Sequence, residues 1–251
     1  MFVRALVALF VGWLPLVVAA GEHVDPSGYR FTYPDGWTAI TKDIKHSHGA
    51  LPKEVSDWIE DNKVDLSKLS VVVIRNGEEE FLENMNVVVE KQQMPLDEKM
   101  LQELVSLLPQ QYKSMGADVT IKKSAKTSYG PNDALMVEYT ARLPGVPMLL
   151  EQRQVFFTGG GKTFIVTCTG AGTNFVKYGP AFDKILASFD VPARTASSFD
   201  WGRVFSGGVN GAVIGGLVGL LGGLAVMVKK LFAKKQQPPA PPLEFPQFPQ
   251  T

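Results

Sequence analysis

Residues 153–170 read RQVFFTGGGKTFIVTCTG. Val155 and Phe157 alternate with Gln154 and Phe156, and Phe164, Val166 and Cys168 alternate with Ile165 and Thr167. Both halves therefore have the period of two that belongs to a strand. Gly159-Gly160-Gly161 lies between them, and glycine accepts the positive φ angles of a tight hairpin turn. The stretch predicts two antiparallel strands, about 149–158 and 162–169. Upstream, 118–127 and 132–143 have the same character, which makes four strands in succession.

Further out, the period changes. Met100, Leu101, Leu104, Val105, Leu108 and Tyr112 form one apolar stripe of a helix over about 96–115. Asp97 and Glu98 suit its positive N-terminal end, and Pro109 predicts a kink. A second helix is expected over about 180–188, with Phe182, Ile185, Leu186 and Phe189 facing inward, and a third over 53–62. Residues 69–75 and 85–91 are β-branched runs. Tyr29, Phe31 and Tyr33 alternate before the turn Pro34-Asp35-Gly36, so 29–40 reads as a hairpin. Connections of hairpin length imply a mostly antiparallel sheet covered by helices. The expected fold is α+β, an α/β/α sandwich whose one core holds Trp37, Val88, Leu104, Val137, Phe157, Val166 and Ile185.

The ends carry different signals. Arg4, an uncharged run from Ala5 to Val18 and the small residues Ala19 and Ala20 form a secretory signal over 1–20, with cleavage after Ala20. An uncleaved anchor is the alternative. Residues 204–228 contain no charge, and Gly208 to Val228 would span about 31 Å as a helix, close to the hydrocarbon thickness of a bilayer. Lys229, Lys230, Lys234 and Lys235 follow at once and place that side in the cytoplasm, next to anionic lipid. The expected organisation is an exported domain over 22–193, a linker over 194–203, a transmembrane helix over 204–228 and a basic, then Pro-rich cytoplasmic tail over 229–251. Within the span, Gly207, Gly211, Gly215, Gly219 and Gly223 recur at every fourth residue, a small-residue row along which helices can pack. It predicts a homo-oligomer held through the membrane helix.

Charge excludes one class of partner. The chain has 25 Lys and Arg against 25 Asp and Glu, and residues 5–202 have 19 against 24, a net of −5. A nucleic-acid binder is not expected from an acidic domain. The single cysteine excludes an intramolecular disulfide framework.

The aromatic opening GYRFTYPDGW (28–37), together with NVVVEK (86–91), QYKSMGA (111–117), the hairpin quoted above and FDKILASFDV (182–191), resembles PsbP/DcrB-like domains over about 28–191. The resemblance implies a central antiparallel sheet with helices on both faces and binding roles rather than a shared catalytic motif. No catalytic, cofactor or metal residue is carried over from it.

Candidate chemistry is sparse. Gly159-Gly160-Gly161-Lys162-Thr163 lacks the first glycine of a phosphate loop, because Phe156 stands there, and a strand follows instead of a helix. His46 and His48 would need a third metal ligand, for which Asp43 and His23 are the nearest candidates. Cys168 reads as core, Glu78-Glu79-Glu80 as a solvated loop, and Lys235, Pro238 and Pro241 as a polyproline ligand pattern in a flexible tail. The reading that fits best is a non-enzymatic, membrane-anchored binding or scaffolding protein of a cell-envelope assembly, with an unidentified protein partner. An enzyme with an unrecognised cleft and a glycine-zipper oligomer acting on the membrane are the alternatives.

Overall fold

The computed structural model describes residues 21–41, 69–76, 83–114, 116–142 and 148–195. The signal segment, the 53–62 helix, His46, His48, Glu78-Glu79-Glu80, the glycine row, the lysine cluster and the Pro-rich tail all lie outside the described residues. Among the described residues, no helix is long and apolar enough to cross a membrane.

Nine strands and two helices are described. The strands are β1 (Gly21–Val24), β2 (Arg30–Tyr33), β3 (Trp37–Thr41), β4 (Leu69–Arg75), β5 (Asn84–Glu90), β6 (Asp118–Tyr129), β7 (Asn132–Arg142), β8 (Leu150–Gly159) and β9 (Lys162–Ala171). The helices are α1 (Glu98–Ser114) and α2 (Asn174–Ala187). Seven strands form one antiparallel sheet in the order β3-β4-β5-β9-β8-β7-β6, and β1 and β2 form a separate ribbon. The β8–β9 hairpin closes as expected, with Gly160 and Gly161 at φ 57° and 76°.

A period of two sends alternate side chains to opposite faces, so the sheet has two cores. One lies under α1 and holds Val88, Leu104, Val137, Phe156, Ile165 and Tyr139. The other lies under α2 and holds Trp37, Phe157, Val166, Cys168, Ile185 and Phe189. The seven residues expected in one core are all buried, but they divide between these two layers.

Two other expectations change. The turn at Gly36 forms, with φ +74°, but β2 and β3 do not pair with each other. β2 pairs with β1 and β3 with β4, because Tyr29 and Phe31 stack on Phe189 over the α2 face while Trp37 sits opposite Arg75 in the main sheet. Next, α2 begins at Asn174 rather than at 180, and Pro180 lies inside it. Pro180 is the seventh residue of this helix, past the four N-terminal residues whose N–H groups have no intrahelical partner, so α2 forms around a proline that removes one i→i−4 bond. The helix expected over about 96–115 is present as α1, which runs through Pro109 to Ser114.

Candidate functional site

Two buried polar clusters stand out. The first lies where the β1–β2 turn meets β4. Tyr29 Oη donates to Ser70 Oγ at 2.7 Å, Ser70 Oγ donates to Asp25 Oδ2, and the Ser27 amide donates to Asp25 Oδ1 at 2.7 Å. His23 Nε2 stands 3.6 Å from Asp25 Oδ2, in ion-pair range. Burial alone would raise the Asp25 carboxyl, but interactions with His23, Ser70 and Ser27 outweigh it and hold the group well below the ordinary carboxylate range.

His23, Asp25 and Ser70 are the residue types of a hydrolytic triad, but their order differs. A triad needs the imidazole between the hydroxyl and the carboxylate, so that the base takes the serine proton. Here the carboxylate sits between the other two, and a carboxylate with a lowered pKa is a poor base. The cluster instead pins the β1–β2 ribbon to β4. His23, weighed above as a metal ligand, is buried in this knot, and among the described residues no group of three metal-ligating side chains occurs.

The second cluster was not foreseen. On the α1 face of the sheet, Asn84, Thr169, Gln152 and Tyr139 are opposite one another across β5, β9, β8 and β7. One rung along, Asn86, Thr167 and Gln154 do the same. The first rung is bonded internally from Tyr139 to Thr169, while Asn84 Oδ1 is buried with no hydrogen bond from the rung. Tyr112 Oη of α1 lies 3.0 Å from both Tyr139 Oη and Gln152 Oε1, and Gln152 Nε2 donates to Thr169 Oγ1 at 3.0 Å. Burial pushes both tyrosine hydroxyls above their ordinary range, so they stay protonated donors.

The second rung is barer. Asn86, Thr167 and Gln154 are each 0% exposed. Asn86 Oδ1, Thr167 Oγ1 and both Gln154 amide atoms have no hydrogen-bond partner among the described residues. A buried polar atom in that state costs about 1–3 kcal/mol. The signal for both rungs is present in the sequence, since Asn84/Asn86, Gln152/Gln154 and Thr167/Thr169 are each spaced i, i+2.

Cys168 is buried on the opposite face, and burial pushes its thiol up to about 12. It is a core residue, as expected, and holds no thiolate at neutral pH. Nearby, Arg153 joins Glu138 at 2.7 Å and also Asp183 of α2, which ties that helix to the sheet.

Residues 22–191 match the PsbP family, more than half of the chain. The chain belongs to the PsbP family. The resemblance seen in the soft motifs is thereby established over nearly the whole described fold. Among solved structures, the chain is similar to cyanobacterial PsbP (CyanoP) from Synechocystis sp. PCC 6803, at 17% identity and a TM-score of 0.48, over 72% of this chain and 95% of that one. It is also similar to LpqN of Mycobacterium tuberculosis, described as involved in cell envelope biogenesis, at 12% identity and a TM-score of 0.40, over 69% and 91%. A sequence comparison with curated proteins gives no match.

Proposed function

We propose that this PsbP-family chain is a membrane-anchored, extracytoplasmic binding or scaffolding protein of a cell-envelope assembly, and that it performs no catalysis. The observation that carries this reading is the family match over 22–191, flanked by a signal-like segment before it and an uncharged stretch after it. The disposition of the reactive side chains supports it. Ser70 gives its proton to a carboxylate of lowered pKa, and the Cys168 thiol is buried and raised.

Crosslinking of the full chain in its native membranes, followed by affinity purification, tests the reading. It predicts a discrete complex with a second protein that is lost when the exported domain is deleted. A chain with no protein partner, whose melting temperature rises with a small molecule from cell extract, would favour the enzyme. The row of five glycines favours a second role in self-association. For a chain acting on the bilayer itself, a peptide covering 204–235 would make liposomes leak.

A further inference from the structure

The chain leaves the described fold at one end of the sheet, and that exit is held firmly. After α2, the Asp190 and Arg30 backbones exchange two hydrogen bonds, of 2.8 and 3.0 Å. The Gly160 amide donates to Ala193 O at 2.9 Å. Gln93 then clasps Thr195 with its whole side-chain amide, donating to its carbonyl at 2.6 Å and accepting from its N–H at 3.2 Å. The approach is close enough that a Cβ on Gly159 would meet Pro192 O at 1.9 Å. Residues 190–195 therefore form a strap across the β8–β9 turn, and the exit at Thr195 is fixed relative to the sheet. The turns at Ser27-Gly28, Gly130-Pro131 and Gly160-Gly161 lie at this same end, as do Lys91 and Arg194.

From this geometry we infer that the β8–β9 turn end of the domain faces the lipid surface, with the strands standing away from it and the opposite end presented outward. The inference rests on the membrane-anchor reading above. From Thr195 to Val204, where the uncharged stretch begins, the chain can reach about 30 Å at full extension. A strand of ten residues such as β8 is itself about 30 Å long. To bring the opposite end to the lipid, the connecting chain would have to run fully stretched along the whole domain, with no length left over to follow its surface.

Lying flat on a sheet face is disfavoured for a different reason. Large exposed hydrophobic residues among those described are Val24, Leu149 and Val176, which are too few and scattered to form an apolar patch. The net charge of −5 over 5–202 also opposes adhesion to anionic lipid. Val24, 66% exposed, stands beside the Asp25–Gly28 turn at the near end. Leu149 and Val176 are both near Gly172, at the far end, where they are free to meet a partner.

The test uses the full chain in liposomes with a nitroxide on the lipid headgroup. Cys168 is buried and stays unlabelled, so Lys91→Cys or Pro131→Cys marks the near end and Val176→Cys the far end with one fluorophore each. All three positions are exposed, and circular dichroism matching the parent protein shows that each variant is folded. The expected result is loss of fluorescence at positions 91 and 131 and retained fluorescence at 176. Equal quenching at both ends, or stronger quenching at 176, overturns the orientation while leaving the anchor intact. Failure of the chain to float with the liposomes removes the anchor, and the orientation with it.

Discussion

Replacing Thr167 by Val and Tyr112 by Phe should shift stability in opposite directions, although each change removes one buried hydroxyl from the same face of the sheet. The Thr167 hydroxyl has no partner among the described residues, so a nearly isosteric methyl relieves an unpaired polar atom without opening a cavity. Thr167→Val should stabilise by about 1 kcal/mol. The Tyr112 hydroxyl lies 3.0 Å from two partners, Tyr139 Oη and Gln152 Oε1. Its removal forfeits both bonds and leaves buried oxygens short of a partner, at a cost of about 2–4 kcal/mol. Thermal unfolding of the full chain in detergent, followed by far-UV circular dichroism, resolves the difference at about 2–4 °C per kcal/mol. If Thr167→Val lowers the melting temperature as much as Tyr112→Phe does, the second rung is bonded in solution and the contrast between the two rungs is wrong.

Leu104→Ala empties a buried site on α1 and should cost about 2–5 kcal/mol, read as a lower urea midpoint; a loss below about 0.5 kcal/mol would mean that α1 is not packed on the sheet. Asp25 has a folded pKa below its unfolded value of about 3.9, so its contribution is complete above that pH and disappears as pH falls through the folded value. Asp25→Asn should therefore flatten the acid limb of stability against pH, and an unchanged limb would contradict the role given to the His23–Asp25–Ser70 knot. Gly215→Ile combined with Gly219→Ile should abolish crosslinked oligomer but leave membrane insertion intact, whereas Leu217→Ile with Leu221→Ile should change neither. Identical behaviour of the two pairs would make the glycine row a plain anchor.

Local rules were enough wherever the cause was local. The Gly160-Gly161 turn, the apolar stripe of α1 and the burial of Cys168 all follow from period and turn chemistry over a few residues. Errors arose where distant residues decide. Nothing near Pro34-Asp35-Gly36 shows that its flanking strands enter different sheets, because that depends on Phe189 offering Tyr29 and Phe31 a stacking surface some 160 residues on. The β5–β9 pairing joins Asn84 to Thr169 without any turn signal between them. The polar rungs were half legible. Spacing i, i+2 puts Gln152 with Gln154, and Thr167 with Thr169, on one face, but only strand order and register set these pairs opposite Asn84 and Asn86. That Ser70 gives its proton to Asp25 and not to His23 is likewise a matter of three-dimensional order, invisible in the composition.

Protease protection in intact cells tests the central claim most directly, with the protein followed by tags at the C-terminus and within the exported domain. The account predicts that the chain sediments with membranes and resists extraction by alkaline carbonate. Externally added protease, given access to the outer face of the membrane, should remove the domain up to about residue 203 and spare a fragment carrying the lysine cluster and tail, as the positive-inside rule requires. Release of the chain by carbonate, or protection of the large domain while the tail is cut, would contradict it.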